Sequence, residues 1–513
     1  MIFSRTNYIK KHIAKKNDGI ILINVLVFAT IAIVLTTALV QWGSSILKNE
    51  EQLTNSQQAF EIAESGIDYY KWHLNNLPTD YYDGNASSTS PGPYIHTFQD
   101  KDGNTLGQFS LKITPPATGT TIVTVKSTGI TSSTPVVSRS IQAQFAIPSF
   151  AQYAVVANDN MNFGTGTATY GPVQSNYGIH FDGTAHNIVS SALSTYEDPD
   201  CLAAGGTNSQ CKEYAVYTTN DPQPPTTQPA DTSIFLAGRQ FPVPTIDFVG
   251  ITTNLNNLET IANGEQSGST IYNYTSSGAL GYYIQLNTND TFNLYKVNSL
   301  VSLPSSCSNN ATANGQSGWG SWTINTKTLY KNNVPFPSSG VIFFQDNVWI
   351  DGAINTARLT IAAGIPGATS NYANITINNN LTYTNFNGQD VIGLISQGNI
   401  NVGFQSLDTL TIDAALVAQN GRVGRYYYSS SCTSPADSNY PGSSANRYYY
   451  NRTTLNLLGM IATNQRYGFA YSDNTGYINR NISYDGNLLY GPPPSFPLAS
   501  SQYSTISWEE VPN

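Results

Sequence analysis

Twenty-one consecutive residues without a charge, Ile20 to Val40 (IILINVLVFATIAIVLTTALV), constrain this chain more than any other feature. As a helix rising ~1.5 Å per residue, the run covers the ~30 Å hydrocarbon core of a bilayer. The 19 residues before it hold Arg5, Lys10, Lys11, Lys15 and Lys16 against one acid, Asp18. A basic flank stays on the cytoplasmic side, so the N-terminus is expected inside, Trp42 at the outer interface and everything beyond it outside the cytoplasm. A buried core helix would account for the length of the run but not for the basic cluster. A cleaved secretory signal would have a shorter apolar core and an A-x-A-like site close behind it.

Past that segment the chain changes character. Of 513 residues only 11% are charged, against roughly 25% in an ordinary soluble domain, yet 40% are hydrophobic and 12% aromatic, which excludes disorder. Tyrosines number 33 and outnumber the 23 lysines and arginines. Without the leader, 18 basic residues face 31 acidic ones, a net charge of −13 over residues 20–513. No nucleic-acid partner is expected of so acidic a body. All four cysteines follow the apolar run. Cys201 and Cys211 bracket a loop with GG and NS turn signals and are expected to pair, leaving Cys307 for Cys432.

The helical signal continues beyond the apolar run. From Gly43 to Leu77 there is no proline, and Ile46, Leu53, Phe60, Ile67 and Leu74 recur every seven residues, joined by Ala63, Tyr70 and Leu77. One helix over 20–77 is predicted, its first half in lipid and its second docked on a globular body. A free coiled coil is disfavoured, because Asn49 and Ser56 interrupt the membrane-proximal seam.

The basic leader ending at Gly19, the apolar GIILINVLVFATIAIVLTTAL and the segment QAFEIAESGIDYYKWHL together resemble the type IV pilin superfamily, in particular PilX-like and GspK-like minor pilins. The resemblance implies cleavage by a prepilin peptidase between Gly19 and Ile20, and packing of the helix, with Phe60 and Ile67 on its docked face, among other pilin subunits. Major pilins carry a glutamate at the fifth mature position, where this chain has Asn24. That departure suits an outermost subunit, since a carboxylate in the bilayer without a partner is costly.

Residues 78–148 read as a small β-sheet, with alternation in GQFSLKITPP, TTIVTVKSTG and SRSIQAQFAI and turns at Asp102-Gly103 and Thr128-Gly129. From Ser149 on, short apolar runs end in Asn and Gly (VIFFQDNVWIDGAI, RLTIAAG, DVIGLISQGNINV, TLNLLGMIAT), the texture of stacked parallel β-helix rungs. A two-sheet sandwich is the rival fold, but VIFF and GMIAT lack its period-2 alternation. The predicted organisation is a leader (1–19), the helix (20–77), the sheet (78–148), first rungs with a disulfide loop (149–245), a mixed α/β insertion with a helix around Thr252–Ala262 (246–335), and further rungs with a polar, proline-bearing cap (336–513). The fold class is thus α+β, a long helix on a small sheet followed by a parallel β-helix-like body. Residues 336–470 are similar to the C-terminal regions of DUF4900-type prepilin-like proteins, through Asp351-Gly352, Leu359-Thr360-Ile361-Ala362, Gly393-Leu394-Ile395 and Gly398-Asn399-Ile400.

Parallel β-helices often carry glycan-cleaving sites, which need clustered carboxylates. Asp159, Asp182, Asp346 and Asp351 are the candidates, and His180, Asp182 and His186 form the one His-rich cluster that could be drawn together on a metal. Asp182-Gly183 reads more simply as a turn. Asp100, Asp102 and Asn104 begin like a calcium loop without the acidic residue that would close it. No nucleophile elbow, zincin motif or P-loop is present, and no catalytic residue, metal or cofactor is expected. The runs Arg425-Tyr426-Tyr427-Tyr428 and Arg447-Tyr448-Tyr449-Tyr450 set an arginine beside three tyrosines, a composition suited to sugar stacking or protein contact on a surface.

The expected function is therefore non-enzymatic: a minor pilin-like subunit of a type IV pilus or related filament, at the tip, displaying a β-helical head for adhesion or assembly priming. Its expected partners are other pilin subunits, the inner-membrane assembly machinery, the prepilin peptidase, the membrane as precursor, and surface glycans or host cells. The alternative is a membrane-anchored, carbohydrate-binding or glycan-active β-helix.

Overall fold

The computed structural model describes residues 18–85, 90, 92–117, 119–248, 254–267, 270–310, 316, 318–434, 436–438 and 448–512. Most of the basic leader, Thr252 and Arg447 lie outside the described residues. The chain divides into two compact units, one of residues 1–114, 124–143 and 507–513, the other of 115–123 and 144–506.

The first unit is built on helix α1, Asp18–Asn76. Ile20 to Thr54 are exposed apart from a half-buried Gly43, so the apolar run has no protein to cover it, among the described residues. Burial begins at Asn55 and follows Ala59, Ile62, Ala63, Ile67, Tyr70, His73 and Leu74, the i, i+3, i+4 spacing of one helix face. The seven-residue series holds only for its later members. Ile46 and Leu53 are 40% and 71% exposed, because the sheet does not reach them, and Leu77, just past the end of α1, is 52% exposed.

That sheet comprises β1 (Tyr94–Gln99), β2 (Thr105–Thr114), β3 (Val123–Thr131), β4 (Ser138–Ala146) and, at its far edge, the C-terminal strand Ser504–Val511. β1, β2 and β3 pair antiparallel. Thr128-Gly129, expected as a turn, lies inside β3. The glycine is there for space, since a Cβ on Gly129 would stand 2.0 Å from the Ala59 carbonyl oxygen and 2.4 Å from the Ala63 nitrogen. The C-terminal segment, expected to cap the rungs, instead closes this sheet. Trp508 meets Phe60 edge-on at 5.8 Å, Arg139 lies over Phe60 at 4.9 Å, and Arg139 donates to Glu510 at 2.6 Å.

The second unit is a coil of short parallel strands. Eight aliphatic side chains stack in register along one inner face, in the spatial order Ile342, Ile361, Leu394, Leu416, Ile461, Val155, Val173 and Val189. All eight are fully buried. The other side of the same strands is covered too. Phe343, Ala362, Ile395, Val417 and Met460 pack with Leu255, Leu258 and Ala262 of the helix Asn254–Gly264. Burial on both faces removes the need for alternation, which explains VIFF and GMIAT.

Spatial order departs from chain order. The rungs of 155–240 follow those of 341–484, joined by Ile461 beside Val155 and Arg480 beside Thr167. The chain then returns to the opposite end, where Tyr282–Asn287 pairs parallel with Val348–Ile354 and antiparallel with Thr291–Leu300. Gly476–Tyr484, whose last four residues were expected to begin the cap, is an internal rung between Asn451–Thr463 and Thr167–Tyr170. The prolines after it lie across the coil, held where Arg358 donates to the carbonyls of Gly491 and Pro492 and Thr360 to that of Pro494. The disulfides join Cys201 to Cys211 and Cys307 to Cys432.

Candidate functional site

A polar groove of about 1330 Å³ opens on the second unit. Six successive rungs supply its wall. Asn399 precedes the strand that stacks on Val423–Arg425, which sets Arg422 on the next level, with its N–H donating to the Asn399 Oδ1 at 2.8 Å. Gly424 bridges Gly468, so Arg466 and Tyr467 follow. Phe163 stacks on Tyr467 at 5.4 Å and the Arg466 N–H donates to Asp159 Oδ2 at 2.9 Å, which brings in Asn162. Asn162 then pairs with His180, and His180 with Tyr217.

Every carboxylate in this wall is held by its neighbours. Asp182 accepts from the Thr218 hydroxyl at 2.8 Å and from the Thr219 N–H and hydroxyl at 2.9 and 2.7 Å. Burial opposes its charge, but bonds from His180, Thr219 and Thr218 outweigh it and hold the carboxyl below the usual range. Asp200 receives both guanidinium nitrogens of Arg466 at 2.6 and 2.5 Å and the Asn162 amide at 3.1 Å; the arginine bond lowers its pKa against burial. Asp198 caps the short helix Pro199–Ala203 and accepts the hydroxyl of Tyr217, whose ring stacks on His180 at 4.4 Å. His180 Nε2 lies 3.0 Å from Asp182 and its Nδ1 3.8 Å from Asp198.

A general acid working near neutrality needs a carboxyl pushed upward, and Asp182 and Asp200 are both moved downward. Among the described residues, no group of three His, Cys, Asp or Glu side chains is placed to hold a metal ion. His186 instead stacks on Tyr170 at 4.2 Å. Asp100 closes a tight turn, accepting the N–H groups of Asp102 and Asn104 at 2.9 Å each.

Of the carboxylates singled out in the sequence, Asp159 and Asp182 line the groove. Asp346 instead accepts from Ser277, and Asp351 from the Tyr283 hydroxyl and the Asn378 amide. The arginine–tyrosine run at 425 is corrected as a surface patch. Arg425 and Tyr426 are fully buried, because Arg425 donates to the carbonyls of Phe404 (2.8 Å), Tyr449 and Tyr450 (3.3 Å) and thereby ties three segments together. Burial pulls its guanidinium down to about 10. Tyr427 stays half-buried and meets Tyr471 of the groove wall edge-on at 5.0 Å. Tyr448 and Tyr449 are half-buried, and Arg447 is outside the described residues.

In the helix, Ile20 and Asn24 are exposed, Ile67 is buried and Phe60 is half-buried against Trp508 and Arg139. No family model matches the chain. No curated protein matches it either. Among solved structures it is similar to the competence-associated pilin ComZ from Thermus thermophilus, at 14% identity over 89% of this chain and 98% of that one, with a TM-score of 0.29.

The sequence reading missed Asn162, Asp198, Asp200, Tyr217, Arg422, Arg466 and Tyr471. The one local signal was D-P-D at 198–200, an acidic helix start beside Cys201.

Proposed function

We propose that this chain is a minor pilin-like structural subunit, PilX-like or GspK-like in its N-terminal segment, that enters a type IV pilus or related filament through α1 at the filament tip. The observation that carries the reading is the division of α1. Ile20 to Val40 present an apolar surface that nothing among the described residues covers, the polar stretch from there to Thr54 stays exposed as well, and Asn55 to Leu74 place one face of the helix on a sheet. A helix so divided is suited to a bilayer before assembly and to other pilin helices afterwards. Asn24 supports a terminal place, since it offers no carboxylate to a following subunit's amine.

The coil of parallel strands, with rungs of the DUF4900 type, would be the displayed head, serving adhesion or assembly priming. Processing would fall between Gly19 and Ile20, with the N-terminus on the cytoplasmic side beforehand.

N-terminal sequencing of the mature protein, with immunolabelling of sheared filaments, tests this. Ile20 as first residue and label at filament ends are expected. An uncut Met1 or a cut after Trp42, with no filament label, would overturn it in favour of a membrane-anchored carbohydrate-binding or glycan-active protein.

A further inference from the structure

We infer that the groove between Asn399 and Tyr217 binds a neutral, linear oligosaccharide laid along the axis of the coil. The inference holds whether or not the chain enters a filament.

Three observations lead to it. The first is periodicity. Asn399, Arg422, Arg466, Asn162, His180 and Tyr217 stand on consecutive rungs. Neighbouring strands repeat at ~4.8 Å, so the wall extends about 24 Å and presents a polar or aromatic side chain once per repeat. One hexopyranose unit advances a linear glycan by a comparable length, so successive sugars meet successive rungs.

The second is charge. Asp159, Asp182, Asp198 and Asp200 are offset by Arg422, Arg466 and Arg480, and the Arg466–Asp200 pair is bidentate. A wall so near balance gives neither a polyanion nor a polycation a favourable field, but it offers both hydrogen-bond senses to hydroxyl groups.

The third is rigidity. Arg480 spends its guanidinium on the carbonyls of Gly164, Thr165, Tyr477 and Ile478 and on the Thr167 hydroxyl. Tyr471 donates to the Arg425 carbonyl at 2.7 Å, which fixes its ring as a platform. Groups already held in place lose little freedom when a ligand arrives.

Gly164 supplies the test. It lines the groove, and a Cβ there meets nothing within 4 Å, so the backbone accepts a side chain and Gly164→Trp adds bulk at the groove wall. Gly486 is equally open and lies outside the groove, which makes Gly486→Trp the control. Full-length protein in detergent would be titrated calorimetrically with cellohexaose, maltohexaose, chitohexaose and xylohexaose, and with the shorter members of whichever series binds.

The expected result is binding of at least one series, with affinity rising to about five units. Gly164→Trp should weaken it at least tenfold with an unchanged melting temperature, and Gly486→Trp should leave it intact. Absence of binding to all four series, affinity already maximal for a disaccharide, or binding indifferent to Gly164→Trp would each overturn the inference.

Discussion

Replacing Asp413 by Asn should stabilise the protein at neutral and alkaline pH and do nothing at pH 4. Asp413 sits on the strand Thr409–Ala418, 4% exposed, and accepts the Tyr383 N–H at 3.0 Å. Burial raises its pKa; that bond resists the rise and the neighbouring charge of Asp485 adds to it, leaving the carboxyl pushed up from 3.8 to about 6. A raised carboxyl means that the folded state holds the proton more tightly than the unfolded chain. The ionised group therefore costs stability from about pH 4 upward and in full above about pH 6. The cost shrinks as pH falls through that value and is gone once both states are protonated, below about pH 4. Two units correspond to at most about 3 kcal/mol. The unit that contains Asp413 has an unfolding entropy large enough that this becomes an increase of about 4 °C in melting temperature. Asn keeps the acceptor for Tyr383 and never ionises. Melting curves of full-length wild type and Asp413→Asn, taken from pH 4 to pH 8.5, should nearly coincide at the acid end, separate between about pH 4 and pH 6, and stay a constant distance apart above that. A variant no more stable than wild type at pH 8, or a gain of equal size at pH 4, would refute the burial argument.

Three further perturbations probe other parts of the structure. Gly129→Ala drives a methyl against the backbone of α1 at Ala59 and Ala63 and should cost about 1–3 kcal/mol, read as faster hydrogen exchange over 55–76 while the parallel coil keeps its protection. Leu416→Ala opens a cavity in the middle of the aliphatic stack and should lower stability by about 2–5 kcal/mol, measured by denaturant unfolding. Loss of Cys307–Cys432, which spans 125 residues, should cost about 5 kcal/mol, and loss of Cys201–Cys211, which spans 10, about 3 kcal/mol; double serine variants compared by melting temperature give the order.

What the sequence made legible was what each element does alone. The apolar run and the basic residues before it specify a membrane-type helix because length and composition suffice. Ile67 and Leu74 could be placed on the buried face of that helix by spacing. Leu53 could not, because its exposure depends on how far a sheet built from distant residues extends. Gly129 was read as a turn for a similar reason. Its function, letting α1 approach β3, belongs to a contact and leaves no local trace. Arg425 shows the same limit in chemistry, since an arginine among tyrosines looks like surface until three backbone carbonyls are found around it.

The groove was the least legible part, for a topological reason. In a coil wound in chain order, side chains on adjacent rungs recur at near-constant spacing, so a lateral site can be sought as a repeat. Here the two rung segments meet out of order, and the groove crosses their junction. Asn399, Arg422 and Arg466 come from the later segment, and Asn162, His180 and Tyr217 from the earlier one. Arg466 and Asp200, 266 residues apart, form a bidentate pair across that seam. A junction of this kind is also where two sets of rung-edge side chains face each other without having to satisfy a common repeat. The polar residues that hold the halves together are therefore the same ones that line the groove, and a variant such as Asp200→Ala should weaken both the seam and any ligand bound across it.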